Sequence, residues 1–224
     1  MLVAIEGIDA AGKHTQASLL RKRAEGGGYS TGVLSFPRYT ETRYGRFVAD
    51  YLNGRYGDLS SVMPHFAALL YAGDRLESRD TIRELAETHD LLIFDRYIAS
   101  NLAYQAAKLE PERRDEFIAW LAAIEYDIHR LPAADVTFLL EVPPVTAARL
   151  MAGKGQRSYT AEARDLHERD TGYLHACAQV YQDLARADFR SQWMPVACAG
   201  ADGSMRPPGE IAEEIWSRLR PLLP

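Results

Sequence analysis

Residues Gly7 to Thr15 read GIDAAGKHT: a glycine, four intervening residues, a second glycine and a lysine. This spacing describes a loop that wraps phosphate, provided a strand enters it and a helix leaves it. Both flanks fit. Leu2 to Glu6 (LVAIE) is an apolar run suited to a buried strand, and Lys13 to Glu25 is rich in helix formers and stops at Gly26, Gly27 and Gly28. The glycines let backbone N–H groups curl around oxygens, and the helix N-terminus adds its positive end. Lys13 supplies a point charge near the transferred phosphoryl group. A chain that starts this way is committed to a strand–loop–helix unit from its first residues, and no upstream domain is expected. One position departs from the pattern: the hydroxyl that usually follows the lysine and binds Mg²⁺ is replaced by His14, and a hydroxyl comes one residue later at Thr15.

The rest of the chain continues the same architecture. Short apolar runs at Thr31–Phe36, Leu91–Asp95, Val136–Val142 and Trp193–Ala197 read as buried parallel strands. Helical patterns separate them: 61–88, 98–108, 111–130, 144–151, 161–187 and 209–219. Alternation of this kind predicts an α/β fold with a mostly parallel sheet. At 224 residues the chain suits a single domain, 1–224. A net charge of −5 argues against a protein that coats nucleic acid. No run approaches the roughly 18 apolar residues of a membrane span, and the N-terminus does not read as a signal peptide. Cys177 and Cys198 have neither disulfide-framework nor metal spacing. These features favour a cytoplasmic protein.

In parallel sheets, ligands sit beyond the carboxyl ends of the strands, so chemistry is expected just after each one. After the second strand come Phe36, Pro37, Arg38 and Tyr39, two aromatics around a cation. LLIFD ends in Asp95, a carboxylate at the mouth of a buried strand, and Arg96 follows where a phosphate could be gripped. Asn101 and Tyr104 lie three apart on the next helix and share a face. In the long middle helix Tyr71 and Arg75, at i and i+4, also point the same way, with Asp74 beside them. After the fourth strand, Arg149, Lys154, Arg157 and Arg164 punctuate a segment with Gly153 and Gly155 that suits a lid over phosphates, at about 144–160. Asp165, His167 and Glu168 follow it.

The ordered set GIDAAGK, FPRY, LLYAGDR, DRYIASNLAYQ and LLEVPP, then a basic segment, resembles the thymidylate kinase family, a branch of the P-loop nucleoside monophosphate kinases. It looks closest to the actinobacterial type, in which a basic residue also follows the loop lysine. The resemblance implies a P-loop NTPase fold with a five-stranded sheet flanked by helices and a lid. It implies ATP as phosphate donor, Mg²⁺, dTMP as acceptor and a homodimer. Gly7, Ile8, Asp9, Ala10, Ala11, Gly12, Lys13, His14 and Thr15 would hold the ATP phosphates, with Arg149, Lys154 and Arg157 closing over them. Asp9 would sit between donor and acceptor. Phe36 and Tyr71 would stack on thymine, Arg75 would bond a carbonyl, Asn101 would read the base edge, and Tyr104 would crowd the ribose 2′ position. Arg96, with Arg38 and Tyr39 nearby, would grip the acceptor phosphate, and Asp165 and His167 would line its site. Asp9 and Glu168 are the metal candidates, with Asp95 acting through water.

Catalytic roles thus fall to Lys13, Asp9, Arg96 and Arg157. The acceptor is a phosphate oxygen, ionised near neutral pH because the second phosphate pKa is about 6, so no general base is required. A deoxynucleoside kinase would need a carboxylate base after the second strand, where Phe36, Pro37 and Arg38 stand instead. A binding homologue with weakened catalysis is the alternative raised by His14 and by the altered region Asp165-Leu166-His167-Glu168, which lacks the arginine of an expected D-R-x-E motif.

Overall fold

The computed structural model describes residues 1–58, 61–152, 171–200 and 203–223. Five strands form one sheet: β1 (Leu2–Glu6), β2 (Thr31–Ser35), β3 (Leu91–Asp95), β4 (Val136–Glu141) and β5 (Gln192–Ala197), in the order β2-β3-β1-β4-β5. Every pairing is parallel, so the sheet is wholly rather than mostly parallel. The three central strands carry the continuous apolar runs because helices cover both their faces. The outer strands alternate more, and Pro195, which cannot donate to a ladder, sits on edge strand β5.

The helices are α1 (Lys13–Gly26), α2 (Arg43–Leu52), α3 (Pro64–Glu77), α4 (Arg79–Thr88), α5 (Ile98–Ala106), α6 (Arg114–Ala122), α7 (Pro144–Ala152), α8 (Thr171–Arg186) and α9 (Pro208–Leu219). Helix α2 was not expected. Thr42 caps it by accepting from the Gly45 amide at 2.8 Å, and Val48, Tyr51 and Leu52 bury its inner face. That face meets α3 in a small separate core with Val62, Ala67 and Leu70. The single helix expected over 61–88 is instead two, parted at Ser78, whose hydroxyl donates to the Asp74 carbonyl one turn back at 2.9 Å. The helix expected over 111–130 is a 3₁₀ turn, α6 and a π-helical turn at Ala123–Ile128. The expected 161–187 helix is described from Thr171 onward. Together these elements leave a cleft at the carboxyl ends of β1, β2 and β3.

Candidate active site

The phosphate loop has the backbone its glycines suggest. Gly7 sits at φ 141°, and a Cβ there would lie 2.6 Å from the Leu140 carbonyl oxygen. Ala10 and Gly12 are left-handed at φ 62° and 91°. Lys13 opens α1, is buried, and donates to the Ile8 carbonyl at 2.7 Å. Burial, then the nearby Arg96 charge, pulls its pKa down to about 7 against the attraction of Asp9, Asp95 and Glu6. A buried ammonium whose one hydrogen-bond partner among the described residues is a carbonyl is poised to gain from an incoming phosphate. His14 is 87% exposed and its Nδ1 lies 3.2 Å from Asp95 Oδ2. The histidine therefore meets the carboxylate at the mouth of β3.

Across the cavity, Arg96 stands immediately after β3 at φ 66°. Its Nη2 pairs with Asp9 Oδ1, and its Nη1 donates to the Gly7 carbonyl at 3.4 Å and to Ser100 Oγ at 3.3 Å. The guanidinium lies 5.2 Å from the Tyr104 ring, whose hydroxyl donates to Asp9 Oδ2 at 2.8 Å. Burial, then the Asp9 charge, drives the Tyr104 pKa well up, so the phenol stays a donor. Asp9 thus ties Arg96 to the phosphate loop.

Another part of the cavity is lined by a set of buried polar groups. Arg75 is 2% exposed and donates from two nitrogens to Glu125, which is fully buried in the π-helical turn. Asn101 Nδ2 donates to Glu125 Oε1 and to the Ala68 carbonyl, each at 3.0 Å. Two acceptors on that nitrogen fix the amide orientation. Asn101 Oδ1 is left buried with no partner among the described residues. Gln105, one turn on, is the mirror case: Lys108 donates to its Oε1 at 2.5 Å, which leaves Nε2 buried and without a partner among the described residues. Phe36 packs on Phe94 and Tyr97 with the Arg75 guanidinium 5.9 Å from its ring, and Tyr71 lines the same cavity. The loop carrying Phe36, which includes a cis Phe36–Pro37 bond, is held by Asp74 through the Arg38 amide at 2.9 Å and the Thr42 hydroxyl.

The cavity has a volume of about 580 Å³, suited to small-molecule ligands. Of the expected residues it brings together Asp9, Ala10, Gly12, Lys13, His14, Thr15, Phe36, Tyr39, Tyr71, Arg75, Arg96, Asn101 and Tyr104. Gly7, Ile8 and Ala11 shape the loop behind them. Arg38 does not join: its Nε goes to Glu41 and its Nη1 to Ser78, away from the cleft. Arg149 is likewise engaged elsewhere, donating to the Gly203 carbonyl at 3.1 Å. Lys154, Arg157, Arg164, Asp165, His167 and Glu168 lie outside the described residues. Glu125 and Gln105 were not anticipated. A lone glutamate between Ile124 and Tyr126 was the available signal for the first; the i+4 spacing from Asn101 was the signal for the second.

The family model described as thymidylate kinase matches residues 5–196. The chain belongs to the thymidylate kinase family. It is 37% identical over 215 residues to a thymidylate kinase of Mycobacterium tuberculosis, covering 96% of this chain and 97% of that one. A probable thymidylate kinase of Thermococcus gammatolerans is 33% identical over 190 residues, 82% of this chain and 86% of its own. The fold is shared with the thymidylate kinase of Candida albicans, at a TM-score of 0.73 and 21% identity over 98% of this chain and 91% of that one. Similarity to the mycobacterial protein bears out the actinobacterial type.

Proposed function

We propose that this cavity transfers the γ-phosphoryl group of ATP to dTMP, giving ADP and dTDP for DNA synthesis. The observation that carries the base assignment is the pairing of Asn101 Oδ1, a fixed and unpartnered acceptor, with the Arg75 guanidinium in one cavity. Thymine offers a donor at N3 and an acceptor at O4, which is the complement. Cytosine offers the reverse and would leave Asn101 Oδ1 facing an acceptor. Gln105 Nε2 adds a second donor on the same helix face.

The chemistry is alignment and charge neutralisation. The phosphate loop and Lys13 hold the donor phosphates. Arg96 grips the acceptor phosphate, and Asp9 holds Arg96 beside the loop. Tyr104, tied to Asp9, stands beside the sugar site and favours deoxyribose. Lys154 and Arg157 remain candidates for closing over ATP, and Asp165 and His167 for supporting the acceptor. Among the described residues no cluster of three His, Cys, Asp or Glu side chains forms a metal cage. That donor set still suits Mg²⁺, which takes one or two carboxylates plus phosphate oxygens and waters. Asp9 and Asp95 would hold it, with Glu168 a candidate, and the ion would neutralise the donor phosphates. Thr15 lines the cavity and supplies the hydroxyl that His14 does not.

A coupled ADP-release assay tests this reading, with ATP, Mg²⁺ and dTMP, dUMP, UMP, dCMP, dGMP or thymidine in parallel. Strong preference for dTMP is expected. Turnover of thymidine alone would assign a nucleoside kinase, and ATP binding without turnover would assign a binding homologue.

We further propose a cytoplasmic homodimer, acting on free nucleotides rather than nucleic acid or membrane. No described helix is long and apolar enough to cross a membrane. Phe47 on α2 and Phe66, Leu69 and Leu76 on α3, with Met63 just before it, are exposed apolar side chains. A two-fold contact across these helices would cover them. Sedimentation should give a dimer, and Phe66→Glu with Leu69→Glu should give a monomer.

A further inference from the structure

The carboxylate of Glu6, at the end of β1, is fully buried and does not line the cavity, yet it is among the most heavily bonded groups near it. Its Oε1 accepts from the backbone amides of Tyr97 at 2.7 Å and Ser100 at 3.1 Å. Its Oε2 accepts from the hydroxyls of Ser100 at 2.6 Å and Tyr181 at 2.9 Å. Helix α5 has no side-chain cap of its own, so Glu6 supplies one from a different element. A carboxylate is well suited to that place, because the helix N-terminus presents free amides and a positive dipole end.

Both amides it holds follow directly on Arg96, in the first turn it leads into. Arg96 precedes Tyr97 and occupies the left-handed region at φ 66°, an unfavourable place for a side chain with a Cβ. Such a conformation persists only where its surroundings fix it. The Tyr97 amide, pinned to Glu6, fixes the peptide just after Arg96. The Ser100 hydroxyl, also pinned to Glu6, accepts from Arg96 Nη1 at 3.3 Å. Glu6 therefore controls Arg96 at both ends, backbone and guanidinium, and Tyr181 ties the same carboxylate to α8.

We infer that Glu6 is a positioning residue for phosphoryl transfer: it holds Arg96 in the pose that sets its guanidinium against Asp9 and the acceptor-phosphate site. This rests on the proposed role of Arg96. Glu6 touches no reacting atom and acts only through that arginine.

The test is a double-mutant cycle of Glu6→Gln with Arg96→Ala, read by steady-state kinetics and thermal unfolding. Glutamine keeps an acceptor for the two amides, but its NH₂ must face two hydroxyls, so the bridge through Ser100 is weakened. In the wild-type background, Glu6→Gln should lower kcat about tenfold and raise the KM for dTMP, with the KM for ATP little changed. In the Arg96→Ala background the same change should leave kcat unaltered while its effect on the unfolding temperature persists. An equal fold-loss in both backgrounds would assign Glu6 a merely structural role and overturn the inference. Should Glu6→Gln fail to fold, Ser100→Ala removes the bridge without touching the buried carboxylate, and the same non-additivity is expected. A crystal structure of the chosen variant decides independently of activity: displacement of the Arg96 backbone or guanidinium supports the inference, and an unchanged pose refutes it. If wild-type protein does not phosphorylate dTMP, the functional reading fails, and the structure of the variant still settles the role of Glu6.

Discussion

Nucleotide binding should draw a proton onto Lys13, and the size of the effect follows from its surroundings. Burial and the Arg96 charge bring its pKa from 10.5 to about 7 in the ligand-free protein. Phosphate oxygens against the ammonium should restore the charged form across the neutral range. At pH 8 a group with that pKa is only about one-tenth protonated, so binding should take up about 0.9 proton. At pH 7 the uptake should be about 0.5, and at pH 6 about 0.1. The full shift corresponds to roughly 5 kcal/mol of differential interaction, enough to make affinity depend on pH. Isothermal titration of ADP and of a non-hydrolysable ATP analogue, in buffers of different ionisation enthalpy, reads the uptake as a slope. The measurement belongs at pH 8, because phosphate itself ionises with a second pKa near about 6. In Lys13→Met the slope should vanish. A flat response in wild type at pH 8, or an unchanged slope in Lys13→Met, would refute the reasoning.

Four further outcomes follow from neighbouring geometry. Lys108 is also pulled to about pKa 7 by burial, and a lowered folded-state lysine pKa means the unfolded chain binds more protons between about 7 and 10.5. Its penalty is therefore full below pH 7 and fades as pH rises, so in urea titrations Lys108→Met should gain most over wild type at pH 6 and least at pH 10. Gly45→Ala places a Cβ 2.1 Å from the Arg38 carbonyl, so it should destabilise by about 1–3 kcal/mol and raise the dTMP KM more than the ATP KM. Glu125→Ala leaves Arg75 buried and unpaired, which should cost about 3–5 kcal/mol in chemical denaturation and erode the preference for dTMP over dCMP. Tyr104→Phe, which keeps the ring and loses the hydroxyl that donates to Asp9, should keep more deoxyribose preference than Tyr104→Ala when dUMP and UMP rates are compared.

The fold and the cavity wall were legible for a definite reason. Buried parallel strands must be short and apolar, and the side chains that do chemistry must stand where those strands end. LVAIE, LLIFD and the loop between residues 7 and 15 announce both facts locally. What stayed hidden depends on partners distant in sequence. Arg38 looks like a phosphate ligand beside Phe36, but Glu41 and Ser78 take its guanidinium once α3 ends at Ser78. Helix α2 was masked because Gly45 interrupts a helical pattern. That glycine is required, since any Cβ there would strike the Arg38 carbonyl. Glu125 was hidden by the π-helical turn, which moves it off an α-helical register and onto Arg75 and Asn101.

These buried partners show how the site divides its charges. Arg75 and Arg96 are each matched by a buried carboxylate that leaves the ligand-facing geometry fixed. An arginine cannot escape burial by losing its proton, so it needs that partner in the empty protein. Lys13 can lose its proton, and among the described residues only a carbonyl contacts its ammonium. The arginines are therefore preorganised and pH-insensitive, while the lysine, with carboxylates near but none bonded to it among the described residues, is held under-compensated until phosphate arrives. Replacing Lys13 by arginine should break that division: a permanent charge would sit buried in the loop with no carboxylate of its own to bond. Ligand-free Lys13→Arg should lose stability relative to wild type at pH 9, where Lys13 is neutral, and regain much of it on adding ADP. Equal stability of the two ligand-free proteins at pH 9 would show that the loop tolerates an unpaired cation, and that the depressed lysine plays no part in sensing nucleotide.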